Sequence, residues 1–467
     1  MNSMRTLAIQ AHHHEVVRQH LFPGDGLEAA AILLCESGAA PRRRFLVKDV
    51  LLVPHDECVR KPDALTWPGS WINRAIDQAE DSALTVILIH SHPGDYFGFS
   101  LADDWSDQFS IPSLLEAFGE EHGTAVMTSN GAIIARTYTR GMRCVPVDLV
   151  TMADQDIHFW WHPRIEPSPD NHRPMAFASG MTDELNRLTA VVIGASGTGS
   201  ITVEQTARLG FGRIIVIDFD RIERKNLNRI LNSSIRDAQQ NRLKVSVMAD
   251  AIKEHRENCE VIQIPKSIKT REAVLAAAQG DVIFSCVDSL EGRMVADLIG
   301  SAFLIPLLDV GVVIPTRRTP SGGHAVGDVL GQVNYVFPGG STLEDRGIYT
   351  AQGLRAEELR RVDRKAFETE RAAGYFTGFG EEAPAVISLN MRAASACINE
   401  FIARAYPFRI DPNSKYARTV FSLAAGEEEF SPEETFTRSE NPSLATGARE
   451  PLLGLPILGL EATKCAA

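Results

Sequence analysis

From Leu188 to Ser200 the chain reads LTAVVIGASGTGS, an apolar run broken at Gly194 and followed by further glycines at 197 and 199. A run this short fits a buried strand better than a helix, and the glycines allow a tight turn into the helix that follows. Further short apolar runs follow, GRIIVIDFD at 212–220, DVIFSCVDS at 281–289 and IPLLDVGVVI at 305–314, with helical stretches between them and no internal sequence repeat. Strands alternating with helices imply a parallel sheet covered by helices. From about Asn186 onward the expected fold is therefore α/β, a Rossmann-like domain with a mostly parallel sheet.

The chain upstream reads as a separate mixed α/β domain. RRFLVKDVLLVP (43–54), LTVILIH (84–90), GTAVMTS (123–129) and AIIARTYT (132–139) are expected strands, and LEAAAILLCE (27–36) an expected helix. With 467 residues, 44% of them hydrophobic, the chain has material for more than one core. The proline-rich WHPRIEPSPDNHRP at 161–174 marks a linker. The expected organisation is one domain over 1–155, a linker over 156–180, a second domain over 181–410 and a C-terminal extension over 411–467. LRAEELRRVDRKAFETERAAG (354–374) reads as a charged helical insert, and the acidic GEEEFSPEETFTRSENPSLATG (426–447) as a segment mobile or laid along the surface.

A net charge of −13 argues against a nucleic-acid-binding surface. MNSMRTLAIQAHHHEVV lacks the apolar core of a signal peptide, and no apolar run reaches membrane-spanning length. Seven cysteines without a CxxC pair suit a reducing cytoplasm.

Chemistry concentrates first at LIHSHPGDYFGFSLADD, residues 88–104. His90 and His92 lie two apart at a strand end and so point to one side. Ser100 is a good helix N-cap, and Asp103, three residues on, sits beside it in the first turn. Two imidazoles and a carboxylate leave tetrahedral Zn²⁺ one open position for water, the arrangement of a catalytic site, and zinc lowers the pKa of that water toward ~7. A carboxylate base is then needed; Glu28 is the candidate and Glu36 its rival. The His12–His14 run could also bind metal, but it precedes any expected strand and no carboxylate is in register with it. The full set, Glu28, His90, His92, Pro93, Ser100 and Asp103, resembles the signature of the JAMM (JAB/MPN) metalloproteases. That resemblance covers about the first 150 residues. It implies cleavage of peptide or isopeptide bonds after ubiquitin or a ubiquitin-like protein, with Ser100 stabilising the oxyanion.

The second concentration follows the glycine turn. Gly194, Gly197 and Gly199 shape a phosphate-binding loop at a helix N-terminus, and Asp218 ends the next strand, placed to bond ribose hydroxyls. A dinucleotide site has no need of convergent cations, yet Arg229, Lys244 and Arg293 follow. Attack on the α-phosphate of ATP does need them, because they stabilise the pentavalent transition state. The stretches GASGTGS, DFDRIERKNLNRIL and FSCVDS resemble the adenylating domain of the ThiF/MoeB and ubiquitin-activating enzyme family over about 181–335, and more weakly to about 410. The resemblance implies Asp218 on ribose, Asn226, Arg229 and Lys244 on the triphosphate, and Asp288 helping to hold Mg²⁺. Ser196 and Ile230 stand where that family has glycine and glutamine.

Relatives often carry an acceptor cysteine near a PGxxCLxC turn. Here FPGGSTLEDRG (337–347) offers Ser341, Thr342 and Asp345 instead. Cys286 and Cys397 read as packing residues and Cys465 as unsupported by a base, so a thiol elsewhere is expected to take the activated tail. The implied protein is bifunctional: a zinc (iso)peptidase and an ATP-dependent adenylyltransferase acting on one ubiquitin-like protein in a bacterial conjugation system, with a separate conjugating enzyme or sulfurtransferase and a second copy of itself, as a homodimer, among the expected partners. Processing of a sulfur-carrier protein, as in thiamin or molybdopterin routes, and a non-catalytic scaffold for a ubiquitin-like protein are the alternatives.

Overall fold

The computed structural model describes residues 4–163, 179–372 and 385–460 and divides into two compact units. Within the described residues, the first takes in residues up to 163 with 301–304 and 441–456, and the second takes in the rest.

The first unit contains β1 (Arg5–Gln10), β2 (Ala30–Ser37), β3 (Arg43–Leu52), the short hairpin β4 (Val59–Arg60) and β5 (Leu65–Thr66), β6 (Thr85–His92), β7 (Glu121–Thr128), β8 (Ile133–Thr139), β9 (Arg143–Pro146), β10 (Leu149–Ala153) and β11 (Ile157–Trp161). Its helices are α1 (Ala11–Leu21), α2 (Ser70–Ala79) and α3 (Leu101–Ala117). Nine strands form one mixed sheet in the order β11-β10-β1-β3-β2-β6-β7-β8-β9. Val17 and Leu21 of α1 join the core on one face, while Trp71 and Ala75 of α2 and Ile111 and Leu114 of α3 join the core on the other.

Three expectations change here. LEAAAILLCE is not a helix: its residues from Ala30 on form β2, between β3 and β6. Ala31, Leu33 and Cys35 pack on one face and Ala30, Ile32 and Leu34 on the other. Burial on both faces removes the polar alternation that marks a strand, leaving a run of alanine and leucine that reads as helical. The His12–His14 run does not precede every strand, since β1 comes before it and the histidines lie in α1. The stretch expected to be a linker begins inside the sheet, because β11 pairs antiparallel with β10; residues 164–178 lie outside the described residues.

The second unit contains α4 (Ser179–Leu185), β12 (Thr189–Ile193), α5 (Gly197–Leu209), β13 (Arg213–Ile217), α6 (Ile235–Gln239), α7 (Lys244–Lys253), β14 (Glu260–Ile264), α8 (Arg271–Ala277), β15 (Val282–Ser285), α9 (Leu290–Ala302) and β16 (Leu307–Val313). The hairpin β17 (Thr316–Arg318) and β18 (His324–Val326), then β19 (Leu330–Val336), α10 (Ala351–Val362), α11 (Arg364–Ala372), α12 (Ile387–Ala405), β20 (Arg418–Ser422) and β21 (Glu427–Ser431) complete it. The sheet order is β14-β13-β12-β15-β16-β19-β20-β21. The first five strands are parallel and the last three pair antiparallel. Strand order reverses direction between β12 and β15, the place where open α/β sheets leave a crevice at the strands' C-terminal ends.

The charged insert is two helices, α10 and α11, that share a small core of Ala356, Leu359 and Phe367; 373 and 374 lie outside the described residues. The acidic C-terminal stretch is built into the fold. β21 completes the sheet, and Glu433 is buried, accepting hydrogen bonds from Ser341 and Arg346. Composition cannot reveal which carboxylate of an acidic run finds a buried arginine. No helix among the described residues is long and apolar enough to cross a membrane.

Candidate active sites

In β6, Val86 and Leu88 face the core that contains α2 and α3. His90 and His92 continue that parity and so face the same side. Ser100 caps α3: its Oγ accepts from the Asp103 backbone N–H at 3.2 Å, while the Asp103 carboxylate accepts from the Ser100 N–H at 2.6 Å. This reciprocal cap turns Asp103 toward the two histidines. His90 Nε2 lies 3.0 Å from Asp103 Oδ1, His92 Nε2 3.5 Å from Asp103 Oδ2, and the two Nε2 atoms 3.1 Å from each other.

Tetrahedral zinc with bonds of 2.0–2.1 Å separates its ligand atoms by about 3.3 Å, so this donor set fits that ion. His92 Nδ1 donates to the Tyr96 carbonyl at 2.9 Å, which fixes the ring with Nε2 toward Asp103. These three residues are the one such His/Cys/Asp/Glu group among the described residues, and His12, His13 and His14 form none. His14 is buried, bonded to the Gly131 carbonyl and stacked on Trp160.

Because β2 is a strand whose Ala30 pairs with His90, Glu28 lies at the same end of the sheet as the histidines. It is buried, which pushes its carboxyl pKa up, against the pull of His90 and His92. For Asp103, burial acts upward too, but hydrogen bonds from both imidazoles hold it well below the usual carboxylate range. His92 is raised: burial works against its charge and Asp103 outweighs it. Glu36 lies at the far end of β2, ion-paired with Lys48 and Arg449. The sequence signal missed the groups that hold Glu28. Ser91 Oγ accepts the Ala29 N–H, Ser91 N–H donates back to Ala29, Arg60 Nε donates to the Glu28 carbonyl, and Glu28 N–H donates to Lys61. On α3, Leu101, Trp105 and Phe109 follow one another at helical-turn spacing and are exposed, with the last two rings 4.7 Å apart.

In the second unit the parallel register aligns Ile193 with Ile217 and with Ser285. Gly194, Asp218 and the loop carrying Asp288 therefore leave three adjacent strands at one edge. Gly194 has φ +91°, and a Cβ at Gly199 would come within 1.9 Å of the Gly194 carbonyl, so this turn admits only glycine at both places. Asp218 Oδ2 accepts from the Ala195 N–H at 2.7 Å and Oδ1 from the Asp220 N–H at 2.8 Å. Burial raises its pKa, opposed by Lys244. Lys244 opens α7, is buried, and places Nζ 2.7 Å from Asp220 Oδ2 and 3.7 Å from Asp218 Oδ2. The Arg229 side chain reaches the loop, its Cδ lying 3.6 Å from where a Gly197 Cβ would stand.

Asn226 is buried and its Oδ1 accepts from the Glu223 N–H, so its side chain shapes the turn before Arg229. Asp288 is exposed just beyond β15. Arg293 is drawn away, buried in an ion pair with Asp309.

The cysteines near this site, Cys286 and Cys397, are buried. Burial pushes the Cys286 thiol up to about 12 and that of Cys397, on α12, well above its ordinary value. Cys465 lies outside the described residues. Ser341 is fully buried, donating to Glu433 and accepting from Arg346. Thr342 and Asp345 bond each other in a turn.

The ThiF family model matches residues 171–405, just over half of the chain and the part that contains this glycine loop, acid and lysine. The chain belongs to that family. It is 27% identical over 123 residues to ubiquitin-like modifier-activating enzyme 5 of Bombyx mori, covering 24% of this chain and 30% of that enzyme. The same enzyme of Caenorhabditis elegans is 28% identical over 131 residues, covering 26% of this chain and 31% of its own length. The match thus spans less than a third of these relatives. Among solved structures, E. coli MccB with ATP aligns at 18% identity and a TM-score of 0.41, covering 57% of this chain and 68% of that one. MccB with N-formylated MccA aligns at 19% and 0.42, covering 57% and 69%.

Proposed function

We propose that this chain activates the C-terminus of a ubiquitin-like protein as an acyl-adenylate and also cleaves bonds made to that terminus. The observation that carries the first half is the convergence of Gly194, Asp218 and Lys244 at the sheet's switch point in a ThiF-family chain. Asp218 would hold ribose hydroxyls and Asp288 would help hold Mg²⁺. The carrier's terminal carboxylate oxygen attacks the α-phosphorus of ATP; a C(O)O–P bond forms, the bond to the β-phosphate oxygen breaks, and pyrophosphate leaves. Lys244 and Arg229 meet the charge that builds on the phosphoryl oxygens. Lys244 must exchange Asp220 for phosphate, so the free site keeps its cation paired until nucleotide arrives.

The second half rests on the His90–His92–Asp103 set with Glu28 behind it. Zinc, when bound there, would polarise a scissile carbonyl and acidify water. Glu28, its pKa raised by burial, takes a proton from water and returns it to the leaving amine. Ser100 Oγ already accepts from the Asp103 N–H and keeps its own proton for the oxyanion. The exposed Leu101, Trp105 and Phe109 beside this centre suit a protein-sized substrate. Free cysteines are in keeping with a reducing, cytoplasmic setting.

The test is ATP–pyrophosphate exchange by the purified chain with candidate carriers, alongside cleavage of the same carriers extended at their C-termini. Exchange and cleavage with one shared carrier support the reading; activity on neither reaction with any carrier that the chain binds sinks it.

A further inference from the structure

Asn390 lies in the first turn of α12 and is 5% exposed. Its backbone N–H bonds the Val386 carbonyl, but its side-chain amide has no hydrogen-bond partner among the described residues. An amide without a protein partner at the wall of the glycine loop keeps its N–H donors available to a ligand.

Its direction is defined by the glycine loop. A Cβ on Gly197 would come within 2.2 Å of Asn390 Nδ2, so the amide is pressed onto the first residue of α5, with the stem of Arg229 on the same side. The amide is held there from both flanks. Gln205 of α5 donates to Ser395 of α12 at 2.8 Å, and Asn228, next to Arg229, donates to the Ala385 carbonyl just before α12 at 2.9 Å.

We infer that Asn390 donates a hydrogen bond to a phosphate oxygen of the bound nucleoside triphosphate, completing a cradle with the N-terminus of α5 and Arg229. The inference rests on the adenylation reading. The α5 N-terminus supplies partial positive charge and N–H donors, and Arg229 supplies full charge. An amide between them adds a neutral donor of fixed direction, which suits an oxyanion that must be oriented as well as neutralised.

The experiment is calorimetric titration of the full chain with adenosine, AMP and ATP–Mg²⁺, comparing wild type with Asn390→Asp and Asn390→Ala. Asp keeps the side chain's size but replaces the donor with a like charge. Loss of a hydrogen bond to a charged group is worth roughly 10- to 100-fold in affinity. Asn390→Ala should weaken ATP about tenfold and Asn390→Asp by at least about thirtyfold. Adenosine affinity should stay within about twofold in both, which also shows that the variants remain folded. ATP affinity unchanged in Asn390→Asp, or an equal loss for adenosine, overturns the inference. Wild-type chain that binds no ATP overturns the adenylation reading itself, a result distinct from either.

Discussion

The two candidate sites are assembled in opposite ways. In the first unit the candidate metal-binding side chains come from one strand end and the helix that follows it, His90 to Asp103, and are held within hydrogen-bonding range of one another. In the second, Gly194, Asp218, Lys244, Asp288 and Asn390 come from separate loops and helices, and the key cation is occupied by carboxylates of its own chain. A compact donor set suits an ion that must stay through many turnovers. A dispersed set with exchangeable partners suits a nucleotide that must enter and leave. If this contrast is correct, damage to the first site should be all-or-none and damage to the second graded.

The largest effect should follow from removing a metal ligand. Wild-type chain is expected to carry about one zinc, and His92→Ala or Asp103→Ala to carry almost none, because either deletes one of three protein ligands. Elemental analysis of the purified proteins checks this; full zinc in both variants would dismiss the metal site. A chelator should likewise abolish cleavage and, once Mg²⁺ is restored, leave pyrophosphate exchange intact.

Glu28→Gln comes next. The amide cannot take a proton, so cleavage should fall by roughly 10²–10⁴-fold while zinc content stays at wild type. Glu36→Gln, whose ion pairs lie at the other end of β2, should cleave normally. A reversal of these two results would move the base.

Lys244→Ala and Arg229→Ala should each lower exchange by about 10²–10³-fold, the range for one lost transition-state donor. Neither should alter zinc content or cleavage. A parallel fall in cleavage would mean that the two sites are not separate devices.

What could be read beforehand follows the same contrast. His90, His92, Ser100 and Asp103 were legible because strand and helix periodicities act over a few residues, and their spacing alone brings them together. The glycine loop and Asp218 were legible because strand, turn and helix are local. Glu28 is a candidate from its residue type alone, but its place beside His90 is hidden in the sequence, since a strand buried on both faces carries no period. Ser91 and Arg60 were invisible because they act through backbone atoms of Ala29 and Glu28. Glu433 and Asn390 were missed because their counterparts, Arg346 and Gly197, lie far off in sequence. Only the folded topology could pair them.

The smallest effects concern the thiols, and they test whether the second site ends its work at the adenylate. A thiol must ionise to attack an acyl-adenylate. Cys286 and Cys397 are buried with their pKa values pushed up, so neither offers a thiolate near neutral pH. Cys397 is fully buried on α12, where it fills space as a small apolar side chain. Cys397→Ala should therefore cost only about 1 kcal/mol of stability, seen as a modest shift in the denaturation midpoint, and leave exchange at the wild-type rate. Wild-type chain incubated with ATP, Mg²⁺ and carrier should likewise show no reductant-sensitive adduct by mass spectrometry until a partner bearing a reactive thiol is added. An adduct on this chain that disappears with any single cysteine substitution would make it a complete activating enzyme, and loss with Cys286 or Cys397 in particular would mean that a thiol buried in the free structure becomes exposed during turnover.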